Sequence, residues 1–241
     1  TDSQDKAVSD IVVDFGSGRP MNRLLQGDVG SGKTVVAAMA TEIIAHAGAQ
    51  TAIMAPTSIL AEQHYRSLSQ MLTAGEDALK EDEIRLLVGD TPEARKQEIR
   101  EALLDGSIKV IVGTHALIEG NVEFADLQLA IVDEQHRFGV DQRAALREKG
   151  ENLHLLVMTA TPIPRSLALT VHGDLDISVM DEMPAGRQSI DTHVLRPRER
   201  ERAYTMIRAQ VLDGKQAFII YPLVEESEKI EARAAVEEHE S

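Results

Sequence analysis

Eight consecutive residues decide most of what this chain can become. Gly27-Asp28-Val29-Gly30-Ser31-Gly32-Lys33-Thr34 fits G-x-x-x-x-G-K-[ST] at every position. A chance match in a chain this long has odds on the order of one in a hundred. The context sharpens it: apolar Leu24-Leu25 runs in, and the helix-forming run Thr34-Val35-Val36-Ala37-Ala38 runs out. The glycines let the backbone wrap tightly, so that its N–H groups converge on a β-phosphate while a helix N-terminus adds positive potential. Lys33 is placed to reach β and γ oxygens, and the Thr34 hydroxyl to ligate Mg²⁺. The bland alternative is a glycine-rich turn with an incidental lysine.

Around this segment, short apolar runs alternate with longer helical patterns. Strands are expected at 23–26, 51–55, 84–88, 110–113, 129–133, 155–159, 192–195 and 217–221. Helices are expected at 33–46, 58–72, 92–104, 140–148, 164–172 and 198–212. Several strands are continuously apolar, the pattern of strands buried on both faces. Strand–helix–strand repetition of this kind argues for an α/β fold around a mostly parallel central sheet flanked by helices. A break at Met183-Pro184-Ala185-Gly186-Arg187 divides the chain into a complete domain, 1–185, and the start of a second, 186–241, too short to close a sheet of its own.

Composition removes other classes. The chain has no cysteine, which excludes disulfide frameworks, thiolate metal sites and thiol nucleophiles together. Its most apolar stretches fall far below the roughly 18 residues of a membrane helix, and residues 1–5 lack the features of a signal peptide. No membrane role is expected, and a cytoplasmic location is. The absence of an initial Met suggests a piece of a longer protein. The net charge of −15, from 40 acids against 25 bases, speaks against nucleic acid. Residues 225–240 carry seven acids and two bases, so a third of the excess sits in one terminal stretch, read as a solvated helix face.

A bound Mg²⁺ prefers octahedral oxygen coordination, so one threonine hydroxyl is not enough. The apolar segment Leu129-Ala130-Ile131-Val132 ends in Asp133-Glu134. Asp133 at a strand's C-terminal end is well placed to hold Mg²⁺ through water, and Glu134 to orient and deprotonate an attacking water. The expected reaction class is Mg²⁺-dependent hydrolysis of a nucleoside triphosphate. Apart from His136, the histidines show no metal-ligand spacing, and no role is assigned to them.

Asp133-Glu134-Gln135-His136-Arg137-Phe138-Gly139 resembles the D-E-x-H element of superfamily 2 helicases in its RecG-type form. Met158-Thr159-Ala160-Thr161-Pro162-Ile163-Pro164-Arg165 resembles motif III of that family. The run from Ala55-Pro56-Thr57 to Gln63-His64 is similar to motif Ia, and Val112-Gly113-Thr114-His115 to motif Ib. Gln4, about 23 residues before the glycine-rich loop, lies where an adenine-reading glutamine would. The resemblance runs through essentially the whole chain in the right order. It implies a RecA-like P-loop NTPase domain followed by the beginning of a second one, using ATP and Mg²⁺ to drive branch migration or fork remodelling in DNA recombination and repair. The related transcription-repair coupling translocases usually show Glu where this chain has Gln135, so this position resembles the RecG-type form.

The resemblance also distributes roles. Nucleotide falls to Gln4 and to Gly27, Asp28, Val29, Gly30, Ser31, Gly32, Lys33 and Thr34; metal to Thr34 and Asp133; catalysis to Glu134, Lys33 and Asp133. Coupling of nucleotide state to movement falls to His136, Thr159, Thr161 and Arg165. Pro56, Thr57, Gly113 and Thr114, at strand ends on the loop side of the sheet, suit contact with a DNA phosphate backbone without base readout. The same threonines equally suit capping of the next helix. Arg23, Arg137, Arg143 and Arg165 lie near motifs expected to face DNA or nucleotide but form no basic stripe. Expected partners are branched or double-stranded DNA and, in a longer chain, a second motor domain and a wedge domain. Segments resembling motifs V and VI, with the arginine finger they would carry, and the wedge do not occur here, so the 241 residues alone are expected to turn over ATP slowly and hold DNA poorly. The motor of a transcription-repair coupling translocase is the runner-up, and a non-catalytic ATP-dependent switch a third reading that an intact Glu134 argues against.

Overall fold

The computed structural model describes residues 1–75, 78–133, 145–150, 152–161, 175–182 and 190–220. The chain divides into two compact units, Thr1–Arg187 and Gln188–Ser241. In chain order the first unit contains α1 (Asp2–Phe15), β1 (Asn22–Gly27), α2 (Lys33–His46), β2 (Gln50–Met54), α3 (Ser58–Leu72), β3 (Ile84–Leu87), α4 (Glu93–Leu104), β4 (Val110–Gly113), β5 (Leu127–Asp133), β6 (His154–Thr159) and β7 (Asp176–Met180). The seven strands form one sheet in the order β3-β4-β2-β5-β6-β1-β7, and every pairing is parallel. This is a RecA-like α/β domain.

Period-2 geometry explains why the strands read as unbroken apolar runs. Along β5, Leu129 and Ile131 enter the core beneath α1, α2 and α3, while Ala130 and Val132 enter the opposite core, with Ile99 and Leu103 of α4. Both faces of the sheet are covered, so neither set of alternate residues meets water.

Two elements of the first unit fall outside the strands and helices expected from sequence. The helix α1 buries only Ser3, Ala7 and Ile11, one residue per turn. The edge strand β7 buries two of its five residues. α1 is fixed to the sheet by a polar cluster rather than by apolar area alone. The Arg23 guanidinium, on β1, donates to Asp14 at 2.6 Å and to the Ser178 hydroxyl of β7 at 2.9 Å, and Ser178 donates to Asp10 at 2.7 Å. Arg23 is 8% exposed. It therefore serves α1 and the sheet edge; a guanidinium this buried requires the carboxylates it has. Arg137, Arg143 and Arg165 lie outside the described residues.

The second unit contains α5 (Arg200–Leu212), with Arg200 over the Tyr204 ring at 5.3 Å. Residues 192–195 and 217–220, expected as strands, are irregular; Tyr221 lies outside the described residues. The reason is physical: a strand exists through its neighbours' hydrogen bonds, and two short segments with no third strand among the described residues of this unit are marginal. Their apolar side chains stay in water, Val194 at 95% and Phe218 at 88% exposure. The expected helices 140–148 and 164–172 fall wholly or mainly outside the described residues.

Candidate nucleotide and nucleic-acid site

Because the strands run one way, their C-terminal ends share one edge. Along it lie Gly113-Thr114 after β4, Pro56-Thr57 after β2, Asp133 ending β5, Thr159 ending β6, and the glycine-rich loop after β1. Register tightens the row: Met54 pairs with both Gly113 and Val132, Asp133 with Met158, and Thr159 with Gln26. At about 4.8 Å per strand, β1 lies roughly 10 Å from β5 and roughly 19 Å from β4. The edge thus sets the residues assigned to nucleotide at one end, those assigned to DNA towards the other, and Asp133 and Thr159 between them.

At the β1 end, the loop is built around Gly32, which caps α2 with φ 89° and ψ 24°. A Cβ there would be strained by that φ and would collide with the side-chain amide of Gln4. Gln4, from the third residue of α1, donates its Nε2 to the Ser31 carbonyl at 3.1 Å. The adenine-edge residue of the sequence reading therefore touches the phosphate loop. It is held from below, because the Ser3 N–H donates to Glu182 just after β7. Hydrogen bonds from Thr1 and Ser3 hold that carboxyl below its usual range.

Lys33 folds over its own loop: Nζ donates to the Gly27 carbonyl at 2.8 Å and the Asp28 carbonyl at 2.9 Å. Val29 N–H donates to the Asp28 side chain at 2.7 Å, and Ser31 N–H to the Asp28 carbonyl at 3.2 Å. The Ser31 hydroxyl is buried and has no hydrogen-bond partner in the described structure. No acid occupies the first turn of α2. A helix N-terminus, an ammonium against the loop and an orphaned hydroxyl fit a bound phosphate chain. Among the described residues no group of three or more His, Asp or Glu gathers to hold a metal. Two oxygen donors, Thr34 on α2 and Asp133 on β5, suit Mg²⁺, which takes most of its ligands from phosphates and waters.

In the middle of the edge, the Thr159 and Thr161 hydroxyls lie 2.8 Å apart, and Thr161 N–H donates to Thr159 Oγ1 at 3.2 Å. The residues assigned to coupling close a turn on themselves at the end of β6. Asp133 has a partner that sequence reasoning passed over: His64 Nε2 of α3 lies 2.7 Å from Asp133 Oδ2, with the two side chains 13% and 14% exposed. The pair is 69 residues apart in sequence, so no local spacing could have announced it. Glu134, His136 and Arg165 lie outside the described residues.

At the other end, the residues assigned to DNA have evident structural duties. Thr57 is the N-cap of α3, its hydroxyl accepting from Leu60 N–H at 3.3 Å. Thr114 precedes a 3₁₀ turn, His115–Ile118, without a side-chain cap bond. A Cβ on Gly113 would collide with the Leu87 carbonyl and press on Leu117. Pro56 is half-buried between β2 and α3. No helix of the described residues is long and apolar enough to cross a membrane.

Comparison with known proteins narrows the reading. A family profile described as DEAD/DEAH box helicase matches residues 1–170. An ATP-dependent DNA helicase RecG of Synechocystis sp. is 51% identical over 99% of this chain and 28% of its own length. The RecG of Thermotoga maritima is 51% identical over 100% of this chain and 30% of its own length. A solved structure of RecG bound to a three-way DNA junction superposes with a TM-score of 0.79 at 46% identity, over 93% of this chain and 30% of that one. The chain thus spans about 30% of the curated relatives it matches. With a glycine-rich loop, Asp133 and the threonine turn arranged along one edge of a parallel sheet, and a profile match over 1–170, the chain belongs to the DEAD/DEAH box helicase family.

Proposed function

We propose that this chain is the ATP-binding core of a RecG-type DNA helicase, which hydrolyses ATP to move on branched or double-stranded DNA in recombination and repair. The observation that carries the proposal is the loop after β1, with Lys33 over the Gly27 and Asp28 carbonyls and Gln4 on the Ser31 carbonyl, set along the same edge as Asp133. Near-complete coverage of this chain by RecG relatives supports this kind of motor.

In this reading Gln4 offers one donor and one acceptor to the adenine edge, which a carboxylate cannot do. The N–H groups of Asp28, Val29, Gly30, Ser31 and Gly32 orient the phosphates, and Lys33 moves from the loop carbonyls to the β and γ oxygens. Thr34 and Asp133 would hold Mg²⁺, which would supply charge neutralisation to the phosphates. Glu134 takes the proton of the attacking water. His136, Thr159, Thr161 and Arg165 relay the nucleotide state. Pro56, Thr57, Gly113 and Thr114 contact the DNA backbone without reading bases. The second motor domain begins within 186–241 and, with a wedge domain, completes the site in the whole protein. A cytoplasmic location accompanies this role.

The test is ATP turnover by the whole protein with and without a three-way junction. Stimulation by the junction that is lost in Lys33→Ala supports the reading. No stimulation by any DNA would overturn it: DNA-indifferent turnover would point to an ATPase that is not a DNA motor, and no turnover at all to a non-catalytic switch.

A further inference from the structure

We propose that His64 is a positioning residue for the metal site, acting through Asp133; the inference rests on the assignment of Asp133 to Mg²⁺ made above. The argument begins with the helical period. On α3 the buried residues Ala61, Leu68 and Leu72 mark the face turned to the sheet, and His64 lies on that stripe, three residues after Ala61 and four before Leu68. A polar ring on a sheet-facing stripe has to find a partner. It finds the last residue of β5: Nε2 lies 2.7 Å from Asp133 Oδ2.

The direction of the bond matters. A carboxylate accepts, so Nε2 carries the proton and donates, while Oδ1 is left for a metal-bound water. The bond fixes the side-chain torsion of Asp133 from a helix that is itself capped by Thr57 and packed on the sheet. A carboxylate at a strand end without such a bond would sample several rotamers, only some presenting an oxygen to the metal. Hydrogen-bonded partners of ligating carboxylates typically change metal affinity by about 10–100-fold when removed. Sequence reading gave His64 no role, because it sought histidines spaced as metal ligands; this one holds a ligand without being one.

The experiment uses the whole protein loaded with a non-hydrolysable ATP analogue, with Mn²⁺ as the probe, titrated by electron paramagnetic resonance. His64→Leu removes the donor, His64→Gln keeps an N–H at the same reach, and Asp133→Asn serves as the reference. The expected result is Mn²⁺ affinity weakened about tenfold or more in H64L, restored to within about threefold in H64Q, with metal-free binding of the analogue unchanged in both. H64L within twofold of the wild type while D133N loses Mn²⁺ would overturn the role of His64 alone. H64Q no better than H64L would also overturn it, since the donated bond would then not matter. D133N with unchanged Mn²⁺ affinity would overturn the metal assignment beneath it. If H64L does not fold, H64N, polar but too short to reach Asp133, carries the same outcomes in its place.

Discussion

At the β1 end of the sheet edge, Lys33 and Gln4 are bonded to the loop they are assigned to serve, and Gly32 holds a positive φ that almost no other residue would take. At the β2 and β4 end, Thr57 caps α3, and Gly113 is a glycine because the Leu87 carbonyl leaves no room for a Cβ. The first group suits the proposed nucleotide role, which a fold by itself does not require; the second does what any fold needs. Binding phosphate chains requires unusual backbone and a committed cation, so it marks the sequence. Gripping a DNA backbone borrows hydroxyls and N–H groups that are already present at strand ends.

The largest expected effect falls at the β1 end. Lys33→Ala should lower affinity for a fluorescent ATP analogue by on the order of 100-fold or more, because two charge-assisted contacts to phosphate are lost. Unchanged affinity would remove the nucleotide site from this loop and break the contrast. Next comes the far end, where Gly113→Val should cost about 2–3 kcal/mol of stability, seen as a fall in Tm, by overpacking against Leu87 and Leu117. A fully stable G113V with weakened DNA binding would show that Gly113 is there for DNA and not for the fold. Thr57 separates the two duties more finely. Thr57→Ala should cost about 1 kcal/mol through loss of the cap, whereas Thr57→Asp should keep the cap and still weaken junction binding in a gel-shift assay through repulsion of phosphate. Equal junction affinity in T57D and wild type would leave Thr57 a cap only.

The smallest effect concerns pH and lies at the opposite edge of the sheet. His154 Nδ1 accepts the Met21 N–H at 2.9 Å, and the ring packs edge-on against Phe15, with centroids 4.8 Å apart. Burial pushes this imidazole below its ordinary value of 6.5, with Asp14 opposing. The unfolded chain therefore binds this proton more readily than the folded one. Stability from the neutral ring is complete above about pH 6.5 and is lost as pH falls through the lowered folded value. The Tm of the wild type should drop between pH 7.5 and pH 5.5 by more than that of His154→Gln, while nucleotide affinity at pH 7.5 stays equal in the two. Identical pH profiles would show that His154 does not titrate on unfolding.

How much of this was legible in the sequence follows from the range of each interaction. Six of the seven strands could be read within a residue or two, because a sheet covered on both faces leaves a dense apolar signal. β7, with two buried positions, and α1, with one buried residue per turn, leave too weak a pattern to find. The phosphate loop was legible because its chemistry is contiguous. The Arg23 cluster and the His64–Asp133 pair were not, because each joins elements that only the strand order brings together. The strands expected in the second unit had apolar composition in their favour, but composition supplies no neighbour to pair with.

The resting position of Lys33 has a kinetic consequence for the proposed role. Its ammonium is shared between two carbonyls of its own loop, so nucleotide entry there would exchange one set of oxygens for another rather than bring an anion to a bare cation. Part of the ammonium's dehydration would precede the arrival of phosphate, and the same carbonyls would take the charge back when product leaves. A loop cross-tied in this way would begin each turnover from a formed cradle instead of a collapsed one.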